Sequence, residues 1–472
     1  MTRPRDDSAT PAADAGRRAA GVPSELFDRL RRAATDAGDA VACADGRTTL
    51  TYAALYCAAC GAAHHLAAAY GRPGVVLLRA SNECGFFPWF LGALQAGLSV
   101  MPLSRALPAA EVAAPQDALH ALAVLDAADP APSASAPPGG ASGDLLLATS
   151  GSTDRPKIVV RSAASLDAVA RNTVEAIGIA AGDRVLAAVS LAHSYGLEHG
   201  LLAPLWAGAS VRLIDGMNVA PLAAALGDGI DFLPAVPAMI EGLANLPHAP
   251  RRPRVAYSAG APLPRPTAER FADRLGVACG QVYGMTEIGS VTYSDATAAD
   301  FDPASVGRPM RGVRLRLNDP DDATGEGELA VLAPSMLSRY FTEPLAPGDG
   351  FFATGDLARV DAIGRLTITG RTGLLIETAG RKVNPLEIEA VLTAHPAVAA
   401  CLVVAMRQTE TVQRLRALIE PRDPANPPSD DELRVFARQR LAPHKMPRSF
   451  EFRSALPRTS TGKLLRTGGE NA

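Results

Sequence analysis

Strand and helix alternate through the middle of this chain, and that alternation limits the fold more than any other feature. RVLAAVS (184–190) reads as a buried strand, GLEHGLLAPLWAG as a helix and SVRLI (210–214) as the next strand. VAYSAG (255–260), a helix over 266–276 and VACGQVYG (277–284) repeat the unit. Apolar strands joined through helices lie parallel, with helices packed on the sheet. The expected class is α/β, with mainly parallel sheets and crossover helices. Ligands in such sheets sit at the loops beyond the carboxyl ends of the strands. Earlier, GVVLLRA (74–80) reads as another buried strand, and GFFPWFLGALQAGLSVMPL as helix, glycine stop and strand.

The length of 472 residues exceeds one ordinary core, so two or three domains are expected. Residues 1–22 are charged, small and proline-bearing, which reads as a disordered tail rather than a secretory signal. DPAPSASAPPGGASGD (129–144) reads as a loop. Beyond about Gly370 the pattern turns to short strands and short helices. Nine Lys/Arg and three Asp/Glu lie between Asp431 and Arg466. The expected division is a large domain over 23–370 and a small mobile α+β domain over 371–472, of ordinary size.

No apolar run reaches the length of a membrane span. A net charge of −3 argues against a nucleic-acid partner. Six scattered cysteines point to a reduced, cytoplasmic setting. Cys57 and Cys60, followed by His64 and His65, have the look of a zinc cluster. They sit in an alanine-rich helical run, where small cysteines fill a face well.

Five stretches carry chemistry. LLLATSGSTDRPKIVVRS (145–162) sets Thr149, Ser150, Gly151, Ser152 and Thr153 in a tight turn, followed by Lys157. Hydroxyls, backbone N–H groups and a cation can wrap phosphate oxygens, although such clusters are also ordinary surface turns. In QVYGMTEIGS (281–290) a strand ends in Tyr283 and Gly284, with Thr286 and Glu287 at its tip. The ring can stack on a base, the hydroxyl can meet a phosphate and the carboxylate can hold Mg²⁺. A lone glutamate on a loop also reads as a solvated acid. Asp356 in FFATGDLARVD (351–361) can take two ribose hydroxyls or make an Asx turn. In GRKVNPLEIE, Asn384 and Pro385 start a helix and leave Gly380, Arg381 and Lys382 on the loop entering it. Lys463 lies in PRTSTGK, on a turn of small residues.

In this order and at these separations, TSGST-x-x-PK, YGMTE, TGD, GR…GRKVNPLEIE and PRTSTGK resemble the motifs of the ATP-dependent adenylate-forming enzymes. These include acyl- and aryl-CoA synthetases, peptide-synthetase adenylation domains and luciferases. The resemblance runs from about Val22 to Arg466. It implies ATP and Mg²⁺, with coenzyme A or a phosphopantetheine arm as acceptor. Residues 149–157 would orient the β- and γ-phosphates. Gly260, Ala261 and Tyr283 would line the adenine, and Asp356 would take the ribose, helped by Arg371. Thr286 would touch the α-phosphate and Glu287 would bind Mg²⁺. Lys463 would reach both the carboxylate and the α-phosphate, and the loop at Gly380 would meet the pantetheine arm after a domain rotation.

Two positions depart from the family pattern: Asp154 replaces a usual glycine, and Gly373 stands at the hinge in place of Asp or Lys. For the acid pocket, LAHSYGLEHG lacks the aspartate with which peptide synthetases bind an α-amine. His193, Tyr195 and Gly196, with Val236 and Gly284, would line the pocket of an apolar acid, aryl or medium-chain. His193 reads equally as a satisfied loop histidine. The expected activity is a carboxylic acid–CoA ligase working through acyl-AMP on a small acid, without a membrane or nucleic-acid partner. The alternatives are an acid–carrier-protein ligase, a stand-alone adenylation enzyme and a degenerate nucleotide-binding protein.

Overall fold

The computed structural model describes residues 24–138, 142–149, 157–216, 218–343, 348–378, 381–407, 413–459, 462 and 464–466. The expected tail (1–22), Ser150, Gly151, Ser152, Thr153, Asp154, Gly380 and Lys463 lie outside them.

The alternating segment forms the centre of a nine-stranded sheet. Ser210–Leu213, Arg184–Ala187, Phe232–Ala235, Val255–Ser258 and Cys279–Met285 lie side by side and parallel. Gly289–Ser294 then folds back antiparallel on Cys279–Met285, with a turn at 286–288. A six-stranded sheet carries Val75–Ala80, Ser99–Ser104 and the hairpin of Leu145–Ala148 with Ile158–Arg161. A four-stranded antiparallel sheet follows, ending in Phe352–Val360 and Leu366–Arg371.

Successive strand side chains point to opposite faces, so each central strand feeds two cores. Ala187, Val211 and Leu213 face a cluster shared with Val76, Val100 and helices Tyr52–Tyr70 and Phe86–Gln95. Leu186, Leu233 and Ala256 face the opposite cluster, closed by Val219–Gly227, Pro237–Ala244 and Arg265–Leu275. Full burial of an aliphatic side chain contributes about 1.5–3 kcal/mol, and none of these six strand residues is more than 2% exposed.

The helix expected in GLEHGLLAPLWAG is more complicated than its apolar pattern suggests. Ser194–Leu197 is α-helical, Glu198–Leu202 is a π-turn and Ala203–Ala207 is α-helical again. Such wide turns occur often at functional sites because they redirect side chains without ending the helix.

Beyond Leu366–Arg371 a separate cluster forms around Val383, Ile388, Val403, Ile419, Leu433 and Phe450. It packs Pro385–Thr393 and Asp430–Arg438 on a three-stranded sheet. Asn384 caps the first helix as expected, its Oδ1 accepting Leu386 N–H at 3.0 Å. Its amide also donates to Thr369 O at 2.6 Å. Gly370 permits this junction, because a Cβ there would lie 2.3 Å from the Asn384 amide nitrogen. Among the described residues no helix is long and apolar enough to cross a membrane.

Candidate nucleotide and acid site

The hairpin that carries the first motif is closed by Thr149 N–H donating to Lys157 O at 2.8 Å. Lys157 Nζ stands half-exposed, 3.4 Å from Glu343 Oε2 and 5.0 Å from the centre of the Tyr340 ring. An exposed pair of this kind holds a lysine weakly and leaves it free to meet an anion. Tyr340 belongs to the short strand Arg339–Tyr340, which pairs with Val159 and Val160 just beyond Lys157.

Tyr283, Asp356 and Arg371 come together as one cluster. The Tyr283 hydroxyl donates to Asp356 Oδ2 at 2.6 Å, and Arg371 Nε lies 2.8 Å from Asp356 Oδ1. Burial, then the Asp356 charge, push the Tyr283 phenol well above its ordinary range, so it stays a proton donor. The sequence of TGD builds this placement. Opposite Glu328 and Ala330 stand Leu357 and Ala353, so Thr354, Gly355 and Asp356 bulge out of the ladder. Gly355 has φ +73° within the bulge, a region that favours glycine. Thr354 Oγ accepts Asp356 N–H at 3.1 Å and ties the bulge back.

Thr286 and Glu287 occupy the turn after Cys279–Met285, at the carboxyl end of a parallel strand. The turn is tight because Gly284 lets the two strands close: a Cβ there would lie 2.5 Å from Gly289 O. The Glu287 backbone carbonyl accepts Leu337 N–H at 2.7 Å. Its carboxylate takes a hydrogen bond from its own backbone N–H and a long approach from the Tyr340 hydroxyl, at 3.5 Å. Burial raises its pKa, with the Asp356 charge adding to the effect and Arg371 opposing it. A half-buried carboxylate that keeps acceptor sites open suits a hard cation. No group of three or more His, Cys, Asp or Glu side chains among the described residues is placed to hold a metal ion by itself. A cation here would therefore rest on Glu287 and on oxygens of a bound phosphate, an ordinary arrangement for Mg²⁺.

Residues expected to line the acid (Val236, His193, Tyr195 and Gly196) and the adenine (Gly260 and Ala261) follow the ends of neighbouring strands. Val236 follows Phe232–Ala235 and is buried, and Gly260 (φ +87°) follows Val255–Ser258 with Val236 within 3.9 Å of its Cβ position. Ala261 is half-buried in the same turn. His193 is exposed at the start of Ser194–Leu197, and Tyr195 packs at 4.6 Å on the His199 ring. Gly196 is buried against the chain, since a Cβ there would meet Ser190 O at 2.1 Å. The missing side chain lets the helix start close onto the chain that follows Arg184–Ala187.

The sequence reading missed the buried polar core beneath this site. Arg161 Nη1 and Glu198 Oε1 form an ion pair at 2.5 Å, with side-chain exposures of 1% and 2%. Ser290, His199 and Tyr257 extend it by hydrogen bonds of 2.9–3.0 Å. A signal was available: Arg161 interrupts an apolar strand, Glu198 interrupts an apolar helix, and their charges are opposite.

A mainly parallel sheet with a half-buried glutamate and a tyrosine–aspartate–arginine cluster at its strand ends is the setting in which α/β enzymes hold their ligands. Family comparison agrees: residues 30–141 and 127–341 match the AMP-binding enzyme family, and residues 387–463 match the AMP-binding enzyme C-terminal domain. The chain belongs to the AMP-binding enzymes. It is 31% identical over 468 residues to a feruloyl-CoA synthase from Amycolatopsis sp, covering 90% of this chain and 94% of that one. It is 30% identical over 359 residues to malonate–CoA ligase from Arabidopsis thaliana, covering 68% of this chain and 59% of that protein. The chain thus spans about three fifths of the length of the plant relatives it matches. Among solved structures, ATP-bound MatB from Rhodopseudomonas palustris superposes with a TM-score of 0.84 at 25% identity, over 94% of this chain and 97% of that one.

Proposed function

We propose that this chain is an AMP-forming carboxylic acid–CoA ligase. A carboxylate cannot acylate a thiol directly, because its leaving group would be oxide. Attack of the carboxylate oxygen on the α-phosphorus of ATP forms the acyl–AMP bond and expels pyrophosphate. The thiol of coenzyme A then gives its proton to solvent, its sulfur attacks the acyl carbon, and the acyl–phosphate bond breaks to release AMP. Two anions meet in the first step, so positioned charge is the main requirement.

In this reading Asp356 accepts the ribose hydroxyls, Tyr283 flanks the adenine and Thr286 meets the α-phosphate. Lys157 and residues 149–153 hold the β- and γ-phosphates. Lys463 spans the reacting carboxylate and the α-phosphate, and serves only this first step. Mg²⁺, held by Glu287, supplies neutralising charge to the phosphates. The small domain over 371–472 turns at Gly373 between the steps and brings the loop at Gly380 to the pantetheine arm. Tyr195, His193, Val236 and Gly284 border the acid, and the aromatic packing of Tyr195 suits an aryl or medium-chain apolar acid. The names of the feruloyl-CoA and malonate–CoA relatives support the ligase class. We place the enzyme in the cytoplasm.

The observation that carries this reading is the Tyr283–Asp356–Arg371 cluster, which joins an antiparallel strand pair to the carboxyl end of the parallel strand that leads into Glu287. The experiment is acid-dependent ATP–pyrophosphate exchange over aryl, short-, medium- and long-chain acids and amino acids. Exchange with an aryl or medium-chain acid, followed by thioester formation on adding coenzyme A, is expected. Silence across the panel from folded protein with Mg²⁺ would refute it. Exchange with thioester formation only on a phosphopantetheinylated carrier protein would replace coenzyme A as acceptor.

A further inference from the structure

Two hydrogen-bonded paths lead from one guanidinium to the two flanks of the Thr286–Glu287 turn. On one side Arg161 Nη1 pairs with Glu198, whose carboxylate is fully engaged. Oε1 also accepts the Ser194 hydroxyl at 2.7 Å, and Oε2 accepts Ser290 N–H at 3.1 Å and the Ser290 hydroxyl at 2.9 Å. Ser290 is the second residue of the strand that leaves the turn. On the other side Arg161 Nε donates to Ser165 Oγ at 3.0 Å, and that hydroxyl donates to Ser335 O at 2.6 Å. Two residues later, Leu337 N–H donates to the Glu287 carbonyl, and Ser338 N–H returns to Val160 O at 2.9 Å. The path closes on the strand from which it began.

Proton count fixes the direction of the far end. The one Ser290 hydroxyl proton goes to Glu198, so Ser290 Oγ accepts from His199 Nε2–H. His199 Nδ1 is then bare and accepts the Tyr257 hydroxyl at 3.0 Å. The hydrogen bonds run in one sense, from Tyr257 to Glu198, and end on the charge that Arg161 balances.

We propose that Arg161, through Glu198 and Ser165, is the positioning residue that sets the Thr286–Glu287 turn against the Lys157 hairpin, and so sets how a metal-bound nucleotide is held. The proposal rests on the site reading given above. Arg161 lies on Ile158–Arg161, the strand that leaves Lys157, so its side chain links the phosphate-facing hairpin to the metal-facing turn. Gly289 makes the link possible. Its φ is +82°, and a Cβ there would stand 2.9 Å from both Arg161 Nη2 and Glu198 Oε1. The two arms leave different nitrogens of one planar fork, which a lysine ammonium cannot reproduce.

The test uses the full chain, with Arg161→Lys and the double variant Arg161→Met/Glu198→Leu. The double variant leaves no uncompensated buried charge, so it is the one expected to fold. Calorimetry follows binding of α,β-methylene-ATP as Mg²⁺ is raised, and thermal melting reports the fold. Both folded variants are expected to need at least tenfold more Mg²⁺ for half-saturation, with AMP binding in the absence of Mg²⁺ unchanged within about threefold. Arg161→Lys with wild-type Mg²⁺ dependence overturns the proposal. So does a folded double variant whose melting temperature falls while its Mg²⁺ dependence stays wild-type, because the pair would then serve the fold alone. If the double variant does not fold, Arg161→Lys decides. Wild-type protein that binds no Mg²⁺–nucleotide refutes the site reading itself, and this inference with it.

Discussion

Asp356 and Arg371 stand directly opposite each other in an antiparallel pair of strands, with Arg371 Nε 2.8 Å from Asp356 Oδ1. The Tyr283 hydroxyl takes the second oxygen. A carboxylate has about four lone-pair sites, so two partners fix its orientation and still leave acceptors for a vicinal diol. Asp356→Asn keeps the shape and loses the charge. Hydrogen bonds to charged groups contribute about 1.5–3 kcal/mol, so the ATP KM in pyrophosphate exchange should rise about 10- to 100-fold. The melting temperature should change little. An unchanged KM would remove Asp356 from the ribose site.

Lys463→Ala should separate the two half-reactions. Formation of acyl-AMP from acid and ATP should fall by at least 100-fold, as for loss of a charge that stabilises a transition state. Thioester formation from supplied acyl-AMP and coenzyme A should stay within a few-fold of wild type. Equal loss in both assays would refute a role confined to adenylation.

Gly373 lies in the short 3₁₀ turn Thr372–Leu374, and nothing stands within 4 Å of a Cβ placed there. Its φ is not in the left-handed region either, so neither crowding nor strain calls for glycine. Gly373→Ala should therefore leave stability equal or raise it by about 0.4–1 kcal/mol, by restricting the unfolded chain. If the backbone turns here between steps, pyrophosphate exchange should persist while thioester formation slows. Two rates that fall together, or neither changing, would move the hinge elsewhere.

His199 gives the protein an acid-side weakness. Burial lowers its pKa from 6.5 to about 4, with the Glu198 charge opposing the shift. Between those values the unfolded chain takes up a proton that the native state refuses, so stability falls as pH drops below about 6.5. The full effect is about 3 kcal/mol on reaching pH 4. Urea unfolding at pH 7 and pH 5 should record part of this loss, and His199→Gln should record less of it. Identical pH dependence in both proteins would show that His199 titrates normally.

How much of this was legible beforehand differs from element to element. The strands over 74–80, 184–190, 255–260 and 277–284 were recognisable because buried parallel strands are nearly continuous apolar runs; their observed ends differ by up to three residues. The Asn384 cap was legible because capping is local chemistry between neighbours in sequence. The π-turn at Glu198–Leu202 was not, since a widened turn leaves the apolar spacing almost unaltered. Tyr283, Asp356 and Arg371 were each picked out, but nothing local said that they touch. That contact depends on a bulge defined by the register of a strand far away in sequence. The Arg161–Glu198 pair left a sign in the sequence, a charge in each of two apolar elements, but its members are 37 residues apart and nothing local joined them.

The bulge at Thr354–Asp356 also restricts how this gene can drift in length. Side chains along Phe352–Val360 alternate, with Ala358 buried and Arg359 exposed. Deleting one residue upstream of them within the bulge would shift the register by one and turn Arg359 inward. Deleting two of the three would restore a regular ladder and remove the bulge that places the aspartate. Insertions and deletions should therefore be absent from this strand in any functional descendant, whereas substitutions at its exposed positions pass freely.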